Sequence, residues 1–396
     1  MDKVWQNSKS RWLQLTLLLT GSMTVMAGAG ITAATPSISS HFSEIPGADL
    51  LSKLLLTVPS LTIAILAPFA GQVIDRVGRK KPLVWSLVLY ALAGTSGMYL
   101  ENIYAILVGR ALLGVAVAGI MTINTTLIGD YFYGIGRSRF MGWQGAFMSF
   151  GGVVFVSLGG LLADISWRMP FLIYAFSIII LVMVVFFIYE PKITTETAPE
   201  KKSFRSRKQR KYLLLYLTAF LGMLFFYIIP TQVPFLLQQD TNISNSATGY
   251  TISIAVLAGA LVAYNYGRIR LRLNFYCIYT LTFLLMGSGY LLVSLFHHYA
   301  GILTGLIIAG FGTGMLMPNT NLWLISLAPA PRRGRLVGRL NFSVYLGQFM
   351  SPVLLFPFIR WQSIHFSFGL SGLIMIAMAA AFLLLSAKMK LPHQPG

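Results

Sequence analysis

Acidic residues are scarce in this chain: eleven Asp and Glu stand against thirty Lys and Arg among 396 residues. None of the eleven (Asp2, Glu44, Asp49, Asp75, Glu101, Asp130, Asp164, Glu190, Glu196, Glu200 and Asp240) falls in the middle of an apolar run. A single cysteine, Cys277, excludes an internal disulfide framework. The histidines His41, His297, His298, His365 and His393 lie at the ends of apolar segments or outside them, and none is spaced from a carboxylate as metal ligands are. No metal site or cofactor is therefore expected, and His297 with His298 reads as an interfacial pair. Catalysis within the membrane would need paired acids, a His cluster or a Ser/His arrangement, so an intramembrane enzyme is disfavoured.

What the chain has in abundance is apolar length. It is 56% hydrophobic and only 10% charged, which leaves a water-soluble body of this size short of polar surface. A bilayer core of about 30 Å takes roughly 20 apolar residues per helical span. Such stretches run from Trp12 to Ala34, Leu54 to Ile74, Pro82 to Leu100, Ile103 to Ile128, Phe140 to Ala163 and Met169 to Tyr189. They resume from Tyr212 to Leu237, Tyr250 to Tyr266, Phe275 to Phe296, Tyr299 to Leu327, Leu336 to Ile359 and Ile364 to Ala387. The expectation is an all-α membrane protein of twelve spans. The first stretch is long enough to cross and is read as a retained helix rather than a cleaved signal.

The net charge of +19 raises the question of nucleic acid, and placement decides against it. The basic residues form short clusters at alternate breaks, and only Lys53, Arg110, Arg168 and Arg360 fall elsewhere. By the positive-inside rule the clustered side is the cytoplasm, with both termini there. The segment from Glu190 to Lys211 is charged and polar and reads as a linker between residues 1–189 and 212–396, each a six-helix bundle. The halves also resemble one another. RSRFMGWQGAFMSFG from Arg137 aligns with RGRLVGRLNFSVYLG from Arg333 at an offset of 196 that also carries Gly109 to Gly305 and Gly114 to Gly310. Internal duplication of this kind is a signature of transporters with repeated bundles; a receptor or scaffold does not account for it.

Between the second and third stretches stands GQVIDRVGRKKPL, with Gly71, Asp75, Arg76, Gly78, Arg79 and Lys80 at fixed offsets. This resembles the signature loop of the major facilitator superfamily, and the twelve-span layout agrees with it over essentially the full chain. The spacing sets Asp75 and Arg79 four apart where a helix leaves the membrane. A carboxylate there can accept hydrogen bonds from a helix N-terminus, and the guanidinium can bind a further acid, Asp130 being the available one. The resemblance implies that this cluster is a cytoplasmic latch that holds one state of a rocking, alternating-access cycle. Arg110 and Gly114, in GRALLG, match the family's second motif, whose arginine is associated with proton transfer and gating. Arg110 lies about 10 Å from the nearer end of its span at 1.5 Å per residue, so it should face the interior; bonding to span 1 carbonyls is the structural alternative. The fifth span departs from the family's antiporter signature, with Phe155 and Val156 standing before Gly159 and Gly160.

The absence of a mid-membrane acid points to a neutral or anionic, amphipathic substrate, since a cationic one needs a counter-charge. If protons are coupled, Asp75 or Asp130 are the candidate carboxylates. The polar residues Asn124, Gln144, Tyr227, Gln232, Asn319, Asn321 and Gln348 are candidates for lining the cavity or for bridging helices, and Trp143, Tyr345, Phe226 and Trp323 are candidate aromatic walls. The leading expectation is a monomeric bacterial inner-membrane transporter, surrounded by lipid, that expels a small molecule such as a drug, siderophore or metabolite in exchange for protons. An importer or facilitator of a small organic anion or sugar is the alternative.

Overall fold

The computed structural model describes residues 10–191, 209–329 and 333–388; inside helices, the side chains at 68, 70–76, 135, 138, 333 and 388 fall outside that description. Most of the segment expected to be a linker, at 192–208, is likewise outside it. The regular secondary structure of the described residues is all helical, with no strand among them. In lipid this follows from backbone chemistry: a helix satisfies every N–H and C=O within one segment where water is absent.

Span 1 runs from Arg11 to His41, farther than its apolar stretch. It is two helices, Arg11–Ala29 and Thr35–His41, joined through a short 3-10 turn at Thr32–Ala34, and Pro36 sits in the first turn of the second helix, where its missing N–H costs nothing. Span 2 is Ala48–Val77 and span 3 Lys80–Gly94 continued by a 3-10 turn, Thr95–Met98. Spans 4 and 5 are Ile103–Tyr131 and Gly134–Ile165; span 6 begins as a 3-10 helix at Met169–Ala175 and continues as Phe176–Phe187. Span 7, Gln209–Thr241, breaks at Tyr227, and spans 8 to 12 are Asn245–Arg272, Phe275–Leu295, Tyr299–Leu327, Arg333–Trp361 and Ile364–Lys388. Eleven of these are long and apolar enough to cross a bilayer by themselves. The exception is span 3, whose 15-residue α-helix covers only about 22 Å and needs the 3-10 turn to extend it.

Helix ends are satisfied locally where the sequence offers a side chain. Asn102, Ser244 and Asn274 cap spans 4, 8 and 9 by accepting from Tyr104 N, Ala247 N and Cys277 N. Two large buried clusters form most of the interior, one from Leu13 to Ile188 and one comprising Val156 with residues from Leu215 to Phe382, and a third, small one joins Tyr266, Ile278 and Met315.

The internal repeat recurs in the packing. A Cβ on Gly114 would lie 2.5 Å from the Pro59 carbonyl oxygen, and one on Gly310 would lie 2.4 Å from the Ala255 oxygen. Both members of that contact are shifted by the same 196 residues. A Cβ on Gly109 would meet the Ala93 oxygen at 3.4 Å, and one on Gly305 would meet the Gly289 oxygen at 2.6 Å, again at that offset. Spans 2 and 4 and spans 8 and 10 thus approach backbone to backbone through glycines at corresponding places, the close packing that small residues permit in membranes.

Candidate functional site

A cavity of about 530 Å³ lies between the first six spans and the last six. Spans 1, 2 and 5 line one side and spans 7, 8, 10 and 11 the other. Its walls are mostly apolar, with Val25, Met148, Met223, Phe226 and Met317 among them, and its polar groups are hydroxyls and amides: Thr24, Thr32, Tyr227, Thr313, Asn321, Asn341, Tyr345 and Gln348. No charged side chain is among the lining residues. A large apolar pocket with a few convergent polar groups suits an amphipathic guest with no full charge to neutralise.

Among the described residues, hydrogen bonds between the two sets of spans run through the middle of the bundle and the end opposite the basic clusters. Near the middle, Ser60 Oγ donates to Gln348 Oε1 at 2.8 Å and Tyr345 donates to Met121 Sδ at 3.1 Å. Toward the far end, Ser157 and Ser253 hydroxyls are 2.9 Å apart, and Asp164 accepts from Asn245 N and Ser246 N at 2.8 and 3.2 Å. The backbone of spans 5 and 8 nearly touches there, since a Cβ on Gly160 would lie 2.5 Å from the Asn245 oxygen. At the basic end, Gly136, Gly142 and Gly145 of span 5 and Gly334 and Gly338 of span 11 face open space. Among the described residues, the contacts that seal the cavity therefore lie at the end opposite the basic clusters.

Of the polar residues singled out from sequence, Tyr227, Asn321 and Gln348 line this cavity, together with Phe226 and Tyr345. Asn124 and Gln144 line a smaller adjoining pocket of about 210 Å³ that shares Thr24 and Met148 with it. Asn319 is a brace: its Oδ1 accepts from Tyr266 at 3.0 Å and its Nδ2 donates to the Phe275 carbonyl at 3.0 Å, tying span 10 to spans 8 and 9. Gln232 is fully buried away from the cavity lining, and its amide atoms have no hydrogen-bond partner. Trp323 is packed into an aromatic cluster with Phe275 and Tyr276, whereas Trp143 is exposed beside Arg139. Thr24, Thr32, Thr313 and Asn341 line the cavity unanticipated. Single hydroxyls and amides are common in spans, and only the convergence of seven helices distinguishes these.

Arg110 is wholly buried. Its Nε donates to the Leu55 carbonyl at 2.7 Å, its Nη2 donates to the Ala27 carbonyl, and its guanidinium stands 4.9 Å from the Tyr174 ring centre. Span 4 is thus tied to spans 1, 2 and 6 at one point, while Nη1 has no hydrogen-bond partner. Gly114, one turn on, permits the close approach to span 2 already described.

At the basic end, Arg79 Nε lies 3.2 Å from Asp130 Oδ2, joining the turn after span 2 to the end of span 4. Gly71, Asp75 and Arg76 belong to the last turns of span 2, and their side chains lie outside the described part of the structure. Gly78 adopts φ 94°, which favours glycine. Among the described residues a carboxylate, Glu190, meets the N-terminus of span 3: it accepts from Arg79 N at 2.5 Å and Lys80 N at 2.8 Å, while Lys80 Nζ donates to the Val185 carbonyl at 2.8 Å. Sequence reading leaves Glu190 in the linker, because it is more than a hundred residues from the amides it caps. Glu190→Ala removes an acceptor from a helix N-terminus and is expected to cost about 1 kcal/mol, to be read as a lower thermal midpoint in detergent. Glu190→Gln, which keeps one acceptor oxygen, should recover part of the loss.

Among the described residues His297, exposed between spans 9 and 10, approaches Asp240 and His365. His365 Nε2 lies 2.6 Å and His297 Nδ1 3.7 Å from Asp240 Oδ2. These groups are separated by whole spans in sequence, so a search for ligand spacing along the chain does not find them.

Comparison with known proteins agrees with this architecture. The family model described as Major Facilitator Superfamily matches residues 18–352. The chain is similar to Multidrug resistance protein 1 of Bacillus subtilis, 24% identical over 354 residues, covering 86% of this chain and 88% of the relative. It is also similar to the class H tetracycline resistance protein of Pasteurella multocida, 26% identical over 382 residues, covering 92% and 94%. The fold is shared with the solved D-xylose-proton symporter at a TM-score of 0.78, 15% identity and coverage of 94% and 96%. With a family match over most of its length and multiple membrane-crossing helices around a closed-ended cavity, the chain belongs to the major facilitator superfamily and is a transporter, not an enzyme.

Proposed function

We propose that this protein is an alternating-access exporter that moves a neutral or anionic amphipathic small molecule out of the cytoplasm in exchange for protons. The two six-helix bundles, residues 1–189 and 212–396, are the rocking bodies, and 190–211 is their cytoplasmic linker. The observation that carries the substrate class is the cavity lining. Methionine, phenylalanine and small aliphatic side chains provide adaptable apolar area, hydroxyls and amides provide orientation, and no carboxylate is present to balance a cation. The similarity to multidrug and tetracycline resistance proteins supports outward transport. On this reading the cavity opens at the end opposite its seal, which the basic clusters place at the cytoplasm, and is ready to load from inside. The Arg79–Asp130 pair belongs to the latch that closes that end when the cycle turns over, and Asp75 or Asp130 carries the exchanged proton.

Everted vesicles containing the protein, energised to be acidic inside, should accumulate neutral or anionic amphipathic compounds, and an uncoupler should collapse the accumulation. Asp75→Asn and Asp130→Asn should each reduce the gradient-driven component at least tenfold. Equilibration that ignores the gradient would mean a facilitator, and selective accumulation of lipophilic cations would contradict the argument from the uncharged lining.

A further inference from the structure

The second half of the chain carries a cluster that neither the cavity nor the latch employs. Asp240 ends span 7, His297 lies between spans 9 and 10, and His365 begins span 12, all at the end opposite the basic clusters. One oxygen, one Nδ1 and one Nε2 come together within 4.8 Å of one another. The imidazole rings of His297 and His365 are 4.0 Å apart at their centres. Asp240 and His365 are largely buried, with side chains 8% and 11% exposed, whereas His297 is 70% exposed. The site thus has two fixed groups and one that reaches in from the surface.

The hydrogen bonding of His365 defines what the cluster can accept. Its Nδ1 is 3.1 Å from the Val293 carbonyl oxygen. A carbonyl only accepts, so Nδ1 carries the N–H. Nε2 faces a carboxylate oxygen at 2.6 Å, a contact that holds a positive centre, either a proton on Nε2 or a metal ion, between the two atoms. A proton would satisfy those two atoms and leave the adjacent His297 nitrogen unused. A metal ion uses all three. An imidazole whose remote N–H is held by a backbone carbonyl is also the usual form of a metal-ligating histidine, since that bond sets both the tautomer and the ring direction.

We propose that Asp240, His297 and His365 form a binding site for one divalent transition-metal ion, Zn²⁺ by ligand chemistry, at the end of the transporter opposite its basic face. Two imidazoles and one carboxylate leave a fourth tetrahedral position for water. Zinc bonds of about 2.0–2.1 Å set neighbouring ligand atoms roughly 3.3 Å apart, so binding requires Asp240 and His365 to separate by well under 1 Å and His297 to move in slightly. All three ligands come from the last six spans. The ion therefore staples the ends of spans 7, 9 and 12 within one bundle and does not bridge the surfaces that part during transport. Nor does the site depend on the substrate class or coupling proposed above.

The test uses the full-length chain without a polyhistidine tag, stripped with a chelator in detergent and titrated with Zn²⁺ by calorimetry. One Zn²⁺ per chain should bind, and the thermal midpoint should rise with it. Asp240→Asn, His297→Ala and His365→Ala should each weaken binding by on the order of tenfold or more and abolish the thermal shift. His298→Ala, adjacent to the site and outside the ligand set, should bind as the parent does. Absence of stoichiometric binding, or affinity that survives His297→Ala and Asp240→Asn unchanged, would overturn the proposal. Because His297 is exposed, its replacement leaves the packing intact and keeps the test decisive even if the buried variants fold poorly.

Discussion

Replacing Gly160 with leucine is expected to abolish transport while the chain remains folded and inserted. Gly160 sits where spans 5 and 8 seal the cavity: an added Cβ would be 2.5 Å from the Asn245 oxygen and 3.0 Å from the Ser246 Cα. Both are backbone atoms and cannot swing aside. The neighbouring contacts tighten the same seam, with a Cβ on Gly249 only 2.8 Å from the Val156 oxygen and with Asp164 accepting from the two amides at the start of span 8. Overpacking of this kind costs about 1–3 kcal/mol even in adaptable interiors, and here the clash exists only while the seam is closed. The conformation in which the seam is parted loses nothing, so the population shifts toward it, by about tenfold for every 1.4 kcal/mol. With Cys277→Ser as background, a cysteine at Gln348 reports the shift. In the Gly160→Leu protein it should react readily with an impermeant thiol reagent added on the side opposite the basic clusters. Unchanged labelling together with normal transport would show that the seam does not close during the cycle.

Arg110→Ala should reduce transport more than tenfold and lower thermal stability as well. A fully buried guanidinium that donates to the carbonyls of Ala27 and Leu55 joins three spans, and hydrogen bonds from charged groups contribute about 1.5–3 kcal/mol each. Their loss leaves two backbone acceptors with fewer donors in a dry interior, although Ala27 retains the Tyr174 hydroxyl at 3.0 Å. Arg110→Lys keeps the charge without the planar fork and should recover little activity. The outcome also separates two roles. A brace weakens transport of every substrate alike and lowers the melting temperature, whereas a substrate contact raises KM selectively for anionic compounds and leaves melting unchanged. The carbonyl partners favour the brace; the unpartnered Nη1 is the atom through which a substrate effect would act.

The Arg79–Asp130 pair illustrates how far local spacing carries. The motif loop puts Arg79 within reach of an acid, and Asp130 at the end of span 4 is 3.2 Å away. Glu190 has no such signature, because capping of span 3 is decided by where span 6 returns to the same surface. Asn319 and Asn321 show the same limit within one helix. They are two residues apart and so point to different sides of it, one to a brace and the other to the cavity. Which side is which depends on neighbours that the helix itself does not specify.

Span number, the alternation of basic clusters, the internal repeat and the superfamily motif are all properties of local composition and spacing, because a segment's affinity for lipid is settled by its own residues. The corresponding glycine contacts at Gly114 and Gly310 follow from that repeat. Only the tertiary structure decided which polar residues converge on the 530 Å³ cavity, which end of it is sealed, that Arg110 is held by backbone carbonyls, and that Asp240 meets His297 and His365. These depend on contacts between residues far apart in the chain, and such contacts are fixed by how helices pack, to which no single segment holds the key.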